Sequence, residues 1–273
     1  MLGAIAGDIV GSAYEFEACK TKTFSLFTDR STFTDDSILT VAVAEALLSG
    51  TVDATALTQT FKRYYHRYPN PCGGYGARFQ SWAAGPDSAP YNSWGNGAAM
   101  RVSPVAYAYD DLASVLAAAA QTAAITHNHP EGTKGAHATA AARFAARQAH
   151  DKADTAADIK ADIAQVVTQR FGYDLDRDLD HIRPTYTFNE SCQETVPEAM
   201  ISVLQSTDFE DALRNAVSLG GDADTLACIA GAIAEAVYGE VPEAMADFVW
   251  QRLDPPLRQT VPMFRARYCP FLV

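Results

Sequence analysis

Two short stretches of this sequence carry side chains able to do chemistry. FTDDSIL, Phe33 to Leu39, places Asp35 and Asp36 side by side behind Thr34 at the start of an apolar run with helical spacing. Adjacent carboxylates repel unless water screens them or a positive group stands between them. Thr34 is a candidate N-cap, and acidic residues in a first helical turn interact favourably with the helix dipole. Capping accounts comfortably for one carboxylate and only tolerably for two, so a second stretch has to decide. That stretch is SLGGDADTLACIAG, Ser218 to Gly231. Here Gly220 and Gly221 allow a tight turn, and Asp222, Asp224 and Thr225 bring oxygen atoms to another helix start. A calcium hand does not fit it, because the next ligand position falls on Leu226, the required glycine is Ala227 and the closing glutamate is Ile233. Together the stretches offer four carboxylates and two threonine hydroxyls, an all-oxygen set that suits hard divalent cations such as magnesium or manganese. Two ions held between them would also cancel the repulsion between Asp35 and Asp36.

Helices have to hold these residues in place. Ala-rich segments with helical apolar spacing recur along the chain and convincing strand alternation is lacking, which predicts an all-α fold. The spacing predicts helices over Met1 to Tyr14, Asp36 to Leu48, Ala54 to Tyr68, Ala98 to Tyr109, Leu112 to Ile125 and Gly132 to His150. Further helices are predicted over Thr155 to Phe171, Val196 to Ser206, Phe209 to Leu219, Asp224 to Tyr238 and Pro242 to Leu253. Gly50, Gly220 and Gly239 stand where helix ends need a left-handed residue, and Pro69 and Pro242 where helices stop or start. One connection is long: Pro69 to Gly97, rich in Gly, Pro, aromatic and amide residues. Its length and its aromatics, Tyr75, Phe79, Trp82, Tyr91 and Trp94, predict an ordered ligand-binding loop. No linker or charge block divides the chain, so residues 1–273 are expected to form a single compact domain.

With 48% hydrophobic and 20% charged residues, the 273-residue chain can bury a large core. Its formal net charge of −12 argues against nucleic acid or an anionic membrane as partner and suits a protein that binds cations. MLGAIAGDIVG meets Asp8 and Glu15 too soon for a signal peptide, and LACIAGAIAEAVYG, interrupted by Glu235, is too short to span a bilayer. The scattered cysteines, Cys19, Cys72, Cys192, Cys228 and Cys269, form no close pair, so the cytoplasm is the expected location. His127 and His129 lack a third histidine or cysteine nearby, which argues against zinc. Asp8 and Glu15 would share a face of the first predicted helix, two turns apart. Bonding to neighbouring backbone is as good a use for Asp8 as catalysis.

FTDDS followed by GGDADT, with GDIVGSAYEF near the start and GNGAAMRVSPVAY in the middle, resembles the ADP-ribosylglycohydrolase family, which includes the dinitrogenase-reductase-activating glycohydrolases. The resemblance implies an orthogonal all-α bundle with a centre of two magnesium or manganese ions, whose ligands match Thr34, Asp35, Asp36, Asp222, Asp224 and Thr225. It implies that Glu15 lies beside the metals and that Ser93, Trp94, Gly95, Asn96 and Gly97 form a diphosphate-binding turn. Such a turn would offer glycine N–H groups and the start of the Ala98 to Tyr109 helix. His127 is expected to line the ADP-ribose pocket, His129 to order its loop, and Met100 and Arg101 to support the turn. Trp94 and Tyr91 are candidates for stacking on adenine. The implied reaction is hydrolysis of the bond between ADP-ribose and an arginine or serine side chain of a modified protein. Glu15 or Asp35 would serve as proton acceptor or as stabiliser of positive charge on the ribose. Glu15 in a YEF context leans towards the serine-type members. Hydrolysis of small conjugates such as O-acetyl-ADP-ribose, and ADP-ribose binding without turnover, are the alternatives.

Overall fold

The computed structural model describes residues 1–50, 52–150 and 154–269. Its elements begin with α1 (Leu2–Gly11), α2 (Asp35–Ser49), α3 (Ala54–Arg67), α4 (Ala77–Ala84), α5 (Gly97–Met100), α6 (Val105–Ala108), α7 (Leu112–Ala124) and α8 (Pro130–His150). They continue with α9 (Ala156–Phe171), α10 (Leu179–Ile182), α11 (Cys192–Leu204), α12 (Phe209–Val217), α13 (Ala223–Tyr238), α14 (Glu243–Arg252) and α15 (Pro255–Tyr268). Among the described residues the β structure is one isolated antiparallel bridge, Gly95 to Ser191, so the all-α expectation holds. No helix among these residues is long and apolar enough to cross a membrane.

A helix that is apolar or small on every side has to be buried all round. This is α13, enclosed from Ala223 to Val237 and packed against α1, α8, α11 and α12. Helix α1 lies against it with almost no side chain between. Gly3, Gly7 and Gly11, four residues apart, share one helical face. A Cβ on Gly7 would stand 1.8 Å from the Ala227 carbonyl oxygen, and one on Gly3 2.3 Å from that of Gly231. This close approach brings Asp8 of α1 beside the first turns of α2 and α13. Farther along α13, Glu235 is buried and pairs with the equally buried Arg143 of α8, which compensates both charges.

Four sequence expectations need correction. Helix α1 stops at Gly11, so Glu15 lies in the following loop and shares no helical face with Asp8. The predicted Ala98 to Tyr109 helix is two short pieces, α5 and α6. Pro104 has no N–H to donate, and it biases Ser103 away from helical backbone, which breaks the run. The Pro69 to Gly97 connection contains α4, and its Tyr75, Phe79 and Trp82 are buried in the core against Phe61 and Tyr65. Finally, α15 forms where no helix was expected. Asp254 caps it and Pro255 occupies the first turn, where a missing N–H costs nothing.

Candidate functional site

The first acidic turn is built by capping. Thr34 adopts extended backbone, and its side chain accepts from the Asp36 N–H at the start of α2. Its hydroxyl is directed at Asp8 Oδ1, 2.7 Å away, and at Asp36 Oδ2. Asp8 also accepts from the backbone N–H groups of Thr34 and Ser37 and from the Ser37 hydroxyl. Both oxygens of Asp8 are therefore committed, and its task is to hold the start of α2 against α1. Burial raises its carboxyl to about 6 despite these donors.

The second acidic turn enters at α13. Asp222 precedes the helix and accepts from Asn96 Nδ2 at 2.6 Å, while Thr225 N–H donates to Asp224 Oδ1. The two turns meet: the Thr225 hydroxyl lies 3.3 Å from Asp36 Oδ2, across 189 positions of sequence. Carboxylate oxygens of Asp8, Asp36 and Asp224 lie within 4.8 Å of one another, as do those of Glu15, Asp222 and Asp224. Asp224 belongs to both trios. Asp36 Oδ1 and Glu15 Oε2 are buried and accept no hydrogen bond among the described residues. Burial, and then the neighbouring carboxylates, push Asp36 and Asp224 well above the usual carboxylate range. A buried set of acceptor oxygens, two of them without donors, matches hard divalent cations, which would remove both the repulsion and the vacant hydrogen-bonding. Asp35 stands apart from both trios. It lines the cavity in front of them, and burial followed by Asp8 raises its carboxyl well above normal.

Glu15 reaches this centre from the loop after α1. Its Oε2 rests against Gly73, where a Cβ would come within 2.6 Å and where φ is +75°, a backbone conformation that favours glycine. Burial, then Asp222, Asp8 and Glu190, raise Glu15 to about 7. Glu190, which the sequence did not single out, faces the same cavity, and burial and Asp222 raise it as well.

The cavity, about 570 Å³, runs from these carboxylates to the turn at Ser93, Gly95, Asn96 and Gly97. The turn is fastened to the start of α11: Asn96 N–H donates to Glu190 O and Cys192 N–H to Trp94 O. Asn96 N–H is thus spent, and Gly95 N–H points at Ser93 Oγ, 3.1 Å away. The Gly95 N–H is therefore not free as expected, whereas the Gly97 N–H has no acceptor among the described residues; α5 is too short to add much of a positive end. His127 and Tyr91 do line the cavity. His127 is buried, its Nδ1 lies 2.7 Å from Thr126 Oγ1, and burial, Arg101 and Arg78 hold its imidazole well below its normal affinity for a proton. Trp94 is 48% exposed and stacks edge-on against His129, in a groove beside the cavity that also borders Arg78 and Phe188. His129 orders its own loop by accepting from Glu131 N–H. At the cavity mouth Phe16 and Phe188 stack on each other, 72% and 46% exposed, with ring centroids 6.4 Å apart.

A family profile described as ADP-ribosylglycohydrolase matches residues 1–259. The chain belongs to the ADP-ribosylglycohydrolase family. It is 27% identical to the ADP-ribosylhydrolase ARH3 of Mus musculus over 92% of this chain and 85% of that protein. The Homo sapiens ARH3 is likewise 27% identical, over 92% and 87%. An uncharacterised Archaeoglobus fulgidus protein is 31% identical over 54% of this chain and 50% of its own. A solved structure titled ADP-ribosylglycohydrolase-related protein complex superposes with a TM-score of 0.71 at 24% identity, covering 98% of this chain and 96% of that one, and supports the fold. Several cavity residues of this family member escaped sequence reasoning: Glu190, Arg78, Phe16 and Phe188. Isolated charges and aromatics in loops carry no periodic signal; only the folded chain brings them together.

Proposed function

We propose that this family member hydrolyses the bond between the anomeric carbon of ADP-ribose and an arginine or serine side chain of a modified protein, releasing ADP-ribose. The convergence of Asp36 with Glu15, Asp222 and Asp224 at one end of the cavity carries this reading. Two divalent cations, magnesium or manganese, held by Asp36, Asp222 and Asp224 with Thr34, Asp35 and Thr225, would supply positive charge and Lewis acidity beside the ribose hydroxyls. The diphosphate would lie on Ser93, Trp94, Gly95, Asn96 and Gly97, next to His127, with Tyr91 or Trp94 available to the adenine.

As the glycosidic bond lengthens, positive charge grows on the ribose ring, and the carboxylates of Glu15 and Asp35 favour that state. A water molecule adds its hydroxyl to the anomeric carbon as the bond to the side-chain nitrogen or oxygen breaks; Glu15 accepts the water's proton and passes it to the departing arginine or serine, which leaves neutral with Glu15 ionised again. Burial and the neighbouring carboxylates raise Glu15 to about 7 in the cation-free protein, and bound cations would lower it, leaving Glu15 ionised and able to accept a proton at neutral pH. The unpaired cysteines suit a reducing cytoplasm.

The test is an assay on defined arginine-linked and serine-linked ADP-ribosyl peptides beside O-acetyl-ADP-ribose. Release of ADP-ribose should stop in excess chelator and return with magnesium or manganese. Full turnover in chelator rejects the metal requirement, and binding of ADP-ribose with no product from any substrate leaves a non-catalytic binder.

A further inference from the structure

Two arginines of this chain are wholly buried, and they differ in one respect. Arg143 has a carboxylate partner, Glu235. Arg101, between α5 and α6, has no carboxylate in ion-pair contact among the described residues; Asp35, which lines the same cavity, acts on it only through space. Its Nη2 donates to Thr122 O at 3.1 Å and to Thr126 Oγ1 at 2.8 Å, and its guanidinium lies 4.7 Å from the Phe61 ring centroid. Nε and Nη1 are buried with no acceptor. A buried guanidinium without a counter-charge is costly, and a fold retains one where an anion arrives to balance it.

The position of Arg101 indicates where that anion sits. Arg101 borders the cavity together with Gly97 and His127. A Cβ on Gly97 would stand 3.2 Å from His127 Nε2 and 3.9 Å from Arg101 Nη1, so the guanidinium lies directly behind the turn. The carboxylates occupy the other end, where the cations they would hold serve the ribose hydroxyls. The turn's N–H groups at Gly95 and Asn96 are already engaged, and α5 has only four residues, so beyond the Gly97 N–H the backbone supplies little positive field. Arg78, the other guanidinium on the cavity, is exposed and lies over Tyr91 at the rim. A further link runs through Thr126. Its hydroxyl accepts from Arg101 and lies 2.7 Å from Nδ1 of His127, whose Nε2 faces Gly97, so Arg101, Thr126 and His127 form one linked set behind the turn.

We propose that Arg101 is the buried counter-charge for the ligand's diphosphate, acting from behind Gly97 and His127 to set the direction in which the substrate lies. The guanidinium draws the diphosphate to the turn, so the ribose is presented to Glu15 and not the reverse. This rests on the ADP-ribose reading of the same cavity, and it assigns to Arg101 a role in binding beyond support of the turn.

Calorimetric titrations of the wild type, Arg101→Gln and Arg101→Lys with ADP-ribose, ADP and adenosine test it. Arg101→Gln should weaken ADP-ribose and ADP by roughly tenfold or more while adenosine, which has no phosphate, changes less than about twofold. Arg101→Lys keeps the charge and should recover most of the loss. Equal weakening of all three ligands, or wild-type ADP affinity in Arg101→Gln, overturns the proposal. Wild-type protein that binds ADP but not ADP-ribose rejects the hydrolase reading and leaves the anion site standing; binding of neither rejects both. Should the variants fail to fold, a crystal structure of the wild type with ADP decides: a diphosphate against Gly97 and His127 supports the assignment, and one at the carboxylate end overturns it.

Discussion

On the proposed reading the chemistry turns on Asp36 and Asp224, because each is buried in a trio of carboxylates whose repulsion water screens poorly. Asp224→Ala should abolish hydrolysis and also remove the manganese isotherm in calorimetry, since Asp224 is common to both trios. A manganese isotherm unchanged from the wild type would place the ions elsewhere. Glu15→Gln keeps the shape but loses the proton acceptor, and kcat should fall by roughly 10²–10⁴-fold while ADP-ribose affinity stays close to that of the wild type. An unchanged kcat removes Glu15 from the mechanism. Asp8 shows where residue-level reasoning stops. Its type and its place near Glu15 suggested a catalytic option, yet its oxygens are consumed by Thr34 and Ser37.

At the scale of elements, the pairing of α1 with α13 sets the distance between the acidic turns. The Ala227 carbonyl oxygen leaves no room for a side chain at Gly7, and both neighbours are backbone, which cannot rotate away. Gly7→Ala should therefore destabilise the fold by about 1–3 kcal/mol through overpacking, read as a lower urea midpoint with an unchanged slope. Wild-type stability in that variant would show that the helices separate freely. The glycine spacing in MLGAIAGDIVG was open to view, but small residues recur in many helices of this chain, and only contact identified which face meets α13. The interruption between α5 and α6 has the same lesson. Apolar spacing ran through GNGAAMRVSPVAY, and Pro104 overrode it locally.

For the whole molecule, the formal charge of −12 is concentrated partly inside, in a cavity that carries Glu15, Asp35, Asp36, Asp222, Asp224 and Glu190. In the cation-free protein these groups bind protons more tightly when folded: Asp8 is raised to about 6 and Glu15 to about 7. The folded state then holds more protons than the unfolded state above the ordinary carboxylate range, and stability falls as pH rises from about 4 to about 7. Glu235 acts oppositely. Despite its burial, the Met1 amine and Arg143 depress it to about 2, so its contribution is present above the ordinary glutamate range and disappears towards pH 2. A scan of Tm in chelator should peak in mildly acid solution, and added magnesium or manganese should raise Tm more at pH 7.5 than at pH 5, because protons compete for the same oxygens. A cation effect that is equal at both pH values argues against carboxylate ligands.

The helical class was legible along the chain, through apolar period and helix-end glycines, and so were both acidic turns, because capping threonines and tandem carboxylates are local patterns that need no partner to be recognised. The sequence also carried the family likeness, which lies in short ordered motifs. Tertiary structure alone decided that Glu15 leaves the helix and leans on Gly73, that Asn96 spends its N–H on Glu190, and that Arg101 is buried without a counter-charge. Burial and charge compensation are set by residues far away in sequence, and the free energy of an ionised group depends on that enclosure rather than on its neighbours in the chain.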